Sequence, residues 1–165
     1  MVVVSNTSPL SNLAIVGKLA LLREQFGAVL VPSSVRRELN QLKHDAAAHL
    51  LDAAFSDGWL RVTPLLHPVP GHLGAGLHAG EAEALALALE RSADLTLLDD
   101  GDARRRATEA GLRISGVLGI LLRAKRNGQV PSLREEIRRL RKEARFFVAR
   151  PLERELIAAA GEVPD

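Results

Sequence analysis

The chain has no cysteine, which excludes both a disulfide framework and a thiolate metal site. It has no tyrosine, and its aromatic residues are Trp59 and four phenylalanines. The core must therefore be built from Leu, Ala, Val and Ile, and a nucleic-acid platform that stacks bases on exposed rings is not expected. Long apolar runs are missing as well. Charges interrupt every apolar stretch before the roughly 20 residues that a membrane span needs. The opening Met1-Val2-Val3-Val4-Ser5-Asn6 lacks the basic start and apolar stretch of a signal peptide. The expectation is a soluble, cytoplasmic protein with no membrane partner. An excess of one charge sign is also absent, since the net charge is only +2. The charge is uneven, however: residues 123–145 carry nine Lys or Arg against Glu135, Glu136 and Glu143. Such a segment reads either as an arm that meets phosphate or as a solvated helix face with i,i+4 pairs.

What is present suits one domain spanning 1–165, with a basic helical C-terminal part at about 131–160. The 47% apolar content is ample for a core. Met1–Val4, Ala28–Val31, Trp59–Val62, Leu95–Leu98 and Leu112–Ser115 are short runs, most of them apolar on both faces, as buried parallel strands are. Between them lie helical stretches. One is opened by Thr7-Ser8-Pro9 with a hydroxyl as cap, and others cover Leu19–Phe26, a stretch after Pro32-Ser33-Ser34, Asp45–Phe55, and the Ala-rich Gly80–Glu90. Further helices are expected after Asp102, over Val117–Arg126, after the capping box Ser132-x-x-Glu135, and over Pro151–Ala160. Residues 64–78, rich in Pro and Gly, read as an irregular loop. Strands alternating with helices predict an α/β fold, a mostly parallel central sheet flanked by helices on both faces.

In such sheets ligands bind beyond the carboxyl ends of the strands. Asn6 falls just past the first strand, and Asp99, Asp100 and Asp102 fall just past Leu95–Leu98. Glu38 sits on the helix after the second strand, and Glu81 and Glu83 sit in the first turns of the Ala-rich helix. Four segments can thus deliver oxygen ligands to one site, which suits hard cations such as Mg²⁺ or Mn²⁺. Each acid also has a plain structural use. Glu81 and Glu83 favour a helix N-terminus, Asp100 or Asp102 can cap the next helix, and Glu38 can pair with Arg37. His67, His72 and His78 show no ligand-like spacing and read as residues of a wet loop. Arg104 and Arg105 either hold RNA beside the acids or solvate a helix. The Asp99-Asp100-Gly101-Asp102 run would also suit a phosphotransfer domain of receiver or phosphatase type, but such domains place a reactive Asp after the first strand, where this chain has Asn6.

At these residues the chain resembles the PIN domain superfamily, in its small prokaryotic branch. The matching elements run in order along nearly the whole chain: Ser5-Asn6-Thr7-Ser8-Pro9-Leu10, Val31-Pro32-Ser33-Ser34-Val35-Arg36-Arg37-Glu38-Leu39, Gly80–Ala88, Leu97–Arg104 and Gly116–Lys125. The resemblance implies a Rossmannoid three-layer α/β/α fold and an acidic pocket that binds one or two divalent metals and hydrolyses phosphodiesters, usually in RNA. It implies Asn6, Glu38, Glu81 and Asp100 as catalytic and metal-binding residues, Asp102 as a further ligand, and Thr7, Ser8, Glu83 and Asp99 in support. Many relatives are toxins of toxin–antitoxin pairs, so a small antitoxin protein and a homodimer are implied partners. One departure stands out: most PIN nucleases begin with Asp where this chain has Asn6. The amide oxygen can still ligate a hard cation, but it carries no charge and is no base. The alternative function is a non-catalytic PIN-like module that binds RNA or protein.

Overall fold

The computed structural model describes residues 1–163. In chain order the elements are β1 (Val3–Ser5), α1 (Thr7–Ile15), α2 (Ala20–Phe26), β2 (Val29–Val31), α3 (Ser33–Leu39), α4 (Asp45–Ser56) and β3 (Leu60–Val62). Then come α5 (Gly71–Gly74), α6 (Ala79–Glu90), β4 (Leu95–Leu97), α7 (Gly101–Glu109), β5 (Ile114–Ser115), α8 (Val117–Arg126), α9 (Leu133–Glu143) and α10 (Arg150–Ala159). The five strands form one sheet in the order β3-β2-β1-β4-β5, and every pairing is parallel. The predicted α/β architecture is what the chain adopts.

Side chains of successive strand residues leave on opposite faces, and both faces are apolar. Val3 and Leu97 join the larger core, with α1, α2, α4, α8, α9 and α10. Val4 instead packs with Ala84, Leu87 and Ala88 of α6, and Leu98 with Leu85, Ala103 and Ala107. Period-two alternation into two hydrophobic layers explains why these strands read as unbroken apolar runs. α6 is buried almost all round, and its alanines let it lie close against the sheet.

Some elements differ from the sequence expectation. The first strand is Val3–Ser5 rather than Met1–Val4, because pairing with β4 begins at Val3↔Leu95. Val2 serves the connection: its N–H donates to Asp94 Oδ2 (2.6 Å) and its carbonyl accepts from Asp94 N (2.8 Å). The 64–78 loop contains the helical turn α5, held by the Arg106 guanidinium, which donates to the carbonyls of His72, Leu73 and Ala75. The Ser132 box is one-sided. Ser132 Oγ accepts from Glu135 N (3.2 Å), but the Glu135 carboxylate turns to Arg138. The capping carboxylate comes from far along the chain, since Glu162 accepts from Leu133 N (2.5 Å) and Arg134 N (3.2 Å).

Strand order places the site. From β1 the chain builds outward through β2 to β3, then returns to the other side of β1 for β4 and β5. The direction therefore reverses between β1 and β4, and connections leaving those two strands part in opposite directions and open a crevice at their carboxyl ends.

Candidate active site

Asn6 is the first residue past β1 and the N-cap of α1. Its backbone N–H donates to Leu97 O (3.1 Å), which pins it to the end of β4. The side chain does not cap the helix. Asn6 is only 5% exposed, and its Oδ1 is buried with no hydrogen-bond partner among the described residues. An unmet buried acceptor costs on the order of 1–3 kcal/mol, and this one lies on a residue that lines a cleft.

Carboxylates share its cleft. An open cleft of about 600 Å³ is lined by Asn6, Thr7, Ser8, Ser11, Glu38, His78, Glu81, Asp99 and Asp100. Glu38 reaches in from α3, with the Thr7 hydroxyl donating to its Oε2 and the Gly80 N–H donating to its Oε1 (3.2 Å). It does not pair with Arg37. Gly80 has to be glycine for this to happen: a Cβ there would lie 2.7 and 2.8 Å from the two Glu38 oxygens. Glu81 follows on α6, 7% exposed, with Oε1 accepting from the His78 backbone N–H (3.0 Å). Asp100 is the N-cap of α7, its Oδ1 accepting from Asp102 N (2.9 Å) and Ala103 N (3.2 Å). The plain capping role expected of Asp100 or Asp102 thus belongs to Asp100, which lines the cleft as well.

The PIN-domain family model DUF3368 matches residues 2–162. The chain belongs to this family. Among solved structures it is similar to a PilT N-terminus domain protein from the hyperthermophilic archaeon Sulfolobus solfataricus P2. The TM-score is 0.54 at 20% identity, over 73% of this chain and 90% of that one. At such identity the likeness speaks for the fold. Among proteins of curated function, none matches.

In this PIN domain Asp99 lies beneath the cleft as an anchor. Its Oδ1 accepts from Val117 N (2.9 Å) at the start of α8, and its Oδ2 accepts from Ser8 Oγ (3.2 Å). Asn12 Nδ2 in turn donates to Ser8 Oγ (3.0 Å). Ser8 therefore does not cap α1, as the sequence had suggested, but ties α1 to the β4 end. A Cβ at Gly116 would collide with Asp99 Oδ1 and crowd the Arg104 guanidinium, which accounts for the glycine ahead of α8. Burial pushes the Asp99 carboxyl above its ordinary value, despite the hydrogen bonds from Val117 and Ser8 and the nearby Arg104 charge. Glu81 is also raised, first by burial and then by the like charge of Asp100, with the His78 N–H opposing.

Other candidate residues lie elsewhere. Asp102 and Arg105 pair with each other on the exposed face of α7 and do not line the cleft. Arg104 donates to Leu98 O (2.8 Å) behind Asp99. Glu83 Oε1 accepts from Ser34 N (3.2 Å), so it caps the start of α3. The basic C-terminal stretch is partly paired, Arg138 with Glu135 (2.7 Å) and Arg139 with Glu143 (3.2 Å) along α9, and Arg141 with Glu153 across to α10. Two cleft residues escaped the sequence reading. Ser11 carried no signal beyond helical spacing from Ser8. His78 read as a loop histidine, and only the position three residues before Glu81, at a helix start, pointed to it.

Among the described residues no group of three or more acidic or histidine side chains forms a ready-made metal cage. The donor set fits a looser kind of site. Glu38, Glu81 and Asp100 each commit oxygens to backbone or hydroxyl donors, while Asn6 Oδ1 makes no hydrogen bond among the described residues. Mg²⁺-type sites hold the ion by one or two carboxylates and keep several waters, and an open, all-oxygen cleft suits that mode.

Proposed function

We propose that the cleft binds Mg²⁺ or Mn²⁺ and hydrolyses RNA phosphodiesters as an endoribonuclease. The observation that carries this reading is the unpartnered, buried Asn6 Oδ1 at the switch point of the sheet, in one cleft with Glu38, Glu81 and Asp100. These four residues would hold the cation, whose chemistry is to activate water and neutralise phosphate charge. The chain's own residues do the rest. Thr7 and Gly80 aim the Glu38 carboxylate, and Asp99 fixes α1 and α8 against each other. Asp100 holds the start of α7 while facing the cleft. Glu81, whose proton affinity burial raises in the metal-free chain, would release that proton when the cation binds.

A cation that binds the folded chain alone raises its melting temperature by mass action. Millimolar Mn²⁺ should therefore raise the melting temperature of the wild type, and Glu81→Gln should lose most of that rise. An unchanged melting temperature would refute metal binding. Asn6 also favours a second reading, a module that binds RNA or protein without cutting it, because the amide contributes no charge to the cation. RNA binding that is indifferent to Mn²⁺ and EDTA, without cleavage, would establish that reading instead. The family resemblance extends the proposal to a toxin role, as a cytoplasmic homodimer neutralised by a small protein. Growth arrest on expression, absent with Glu81→Gln, is the corresponding test.

A further inference from the structure

We infer that Phe147, with Arg145 and Arg150, forms a stacking platform for single-stranded RNA running out of the acid cleft, an inference that rests on the ribonuclease reading of that cleft. Phe147 is 85% exposed in a chain with only five aromatic residues. The other rings are occupied. Trp59 is buried, Phe55 lies under the Arg36 guanidinium at 4.0 Å, Phe26 under that of Arg123 at 5.4 Å, and Phe146 packs against the core. One ring is left facing solvent. Single exposed apolar residues are ordinary on protein surfaces, but a free ring face is what an unstacked base needs.

The charges beside it point to the same ligand. Arg145 ends α9 in the left-handed region, φ 53°, and among the described residues only Ser92 shares that conformation without being glycine. Gly17, Gly27, Gly111, Gly128 and Gly161 take it after other helices. Glycine would be the unstrained choice at this position, yet it carries a cation, exposed and with no salt bridge among the described residues. Arg150 has a 75% exposed side chain and shares Glu153 with Arg141, at 3.3 and 2.5 Å, so two cations face one carboxylate. The surface around Phe147 is therefore net positive.

It also borders the cleft at one residue. A groove of about 430 Å³ is lined by Asp99, Arg104, Leu118, Phe146 and Phe147, among others. Asp99 belongs to the acid cleft too. Beyond Phe147 a second hollow is bordered by Arg145 and Arg150. A strand whose phosphate lies over the acids would cross at Asp99 to bring its bases to Phe147. A duplex hides its base faces and cannot use the ring.

The test is fluorescence anisotropy of a labelled oligouridine bound to the full chain in EDTA, which suppresses cleavage, with a labelled RNA duplex as comparison. Phe147→Leu keeps the apolar bulk and removes the ring, and should weaken single-strand binding roughly 5- to 100-fold while sparing the duplex. Arg145→Gly removes a cation and relieves the backbone. It should weaken binding several-fold and make the salt dependence shallower by about 0.7 of a log unit per log unit of salt, one single-strand phosphate contact. Its melting temperature should hold or rise, so misfolding cannot account for the loss. Unchanged affinity in both variants, or an equal loss for the duplex, overturns the proposal. So does sedimentation showing that Phe147→Leu dissolves a dimer with RNA affinity intact, because the face then belongs to a second copy. Ring-dependent binding without any cleavage would sink the ribonuclease reading and leave the platform standing. Cleavage with Phe147-independent binding would do the reverse.

Discussion

Gly80→Ala probes the cleft without any assumption about activity. The added Cβ would sit 2.7 and 2.8 Å from the Glu38 carboxylate oxygens, well inside van der Waals contact, so that carboxylate has to move. Because the atoms met are the far end of a flexible side chain, the cost lies at the low end of the range of about 1–3 kcal/mol typical of overpacking. It comes mainly from the lost Thr7 and Gly80 hydrogen bonds. Against it stands the helix propensity of Ala over Gly, about 1 kcal/mol in a helix interior and less in the first turn where Gly80 lies. The expected net change is a loss of up to about 1 kcal/mol in urea unfolding, together with loss of divalent-cation stabilisation because Glu38 is displaced. Glu38→Ala alone should cost about 1–2 kcal/mol, through its hydrogen bonds with Thr7 and Gly80 in a half-buried setting. In the double variant the clash disappears and only the propensity gain remains. The two substitutions should then couple by about 1 kcal/mol in the stabilising direction, above the few tenths that independent sites show. Simple additivity would mean that Glu38 does not rest on Gly80, and the cleft geometry would be wrong.

Other substitutions address separate parts of the account. Asn6→Asp should tighten Mn²⁺ binding, read by calorimetry, and lower the metal-free melting temperature by adding a like charge to the acids; unchanged affinity would remove Asn6 from the ligand set. Glu81 and Asp99, both raised chiefly by burial, hold protons more tightly folded than unfolded. Their contribution is full below the ordinary carboxylate range and is lost as pH rises through their folded values, so the metal-free protein should melt lower at neutral than at mildly acidic pH, and Glu81→Gln should flatten that slope. Glu153 is lowered by Arg141, and Glu162 is lowered because the Leu133 and Arg134 N–H groups outweigh its burial. Their contributions are present above the ordinary Glu range and disappear as pH falls through the depressed values, giving an acid limb that Glu162→Ala should diminish. At neutral pH Glu162→Ala should cost roughly 1–2 kcal/mol in urea unfolding by uncapping α9; no change would make the cap incidental.

Much of this architecture was legible because local rules and tertiary structure agree. The apolar runs at Val29–Val31 and Leu95–Leu97 had to be buried strands. Asn6, Glu38, Glu81 and Asp100 could be grouped because strand ends converge, a property of the fold class rather than of any one residue. What escaped the sequence depends on distant partners. Asp102 sits two residues past Asp100, enough of a helical rotation to turn it from the cleft toward Arg105. Ser8 looks like a cap until Asp99, ninety-one residues on, claims its hydroxyl. The turn α5 in a Gly-rich loop exists because Arg106 gathers its carbonyls, and Glu162 caps a helix that begins twenty-nine residues earlier. His78 enters the cleft only because α6 starts there.

The central claim is metal-dependent hydrolysis of RNA at this cleft. Its most direct test is cleavage of a labelled single-stranded RNA by the purified full chain, with Mn²⁺ and with EDTA, beside Glu81→Gln prepared identically. The account predicts products with Mn²⁺ for the wild type, none in EDTA, and much slower cleavage by Glu81→Gln, which removes a carboxylate that would hold the cation. Cleavage that persists in EDTA, or that is equal in Glu81→Gln, would contradict it.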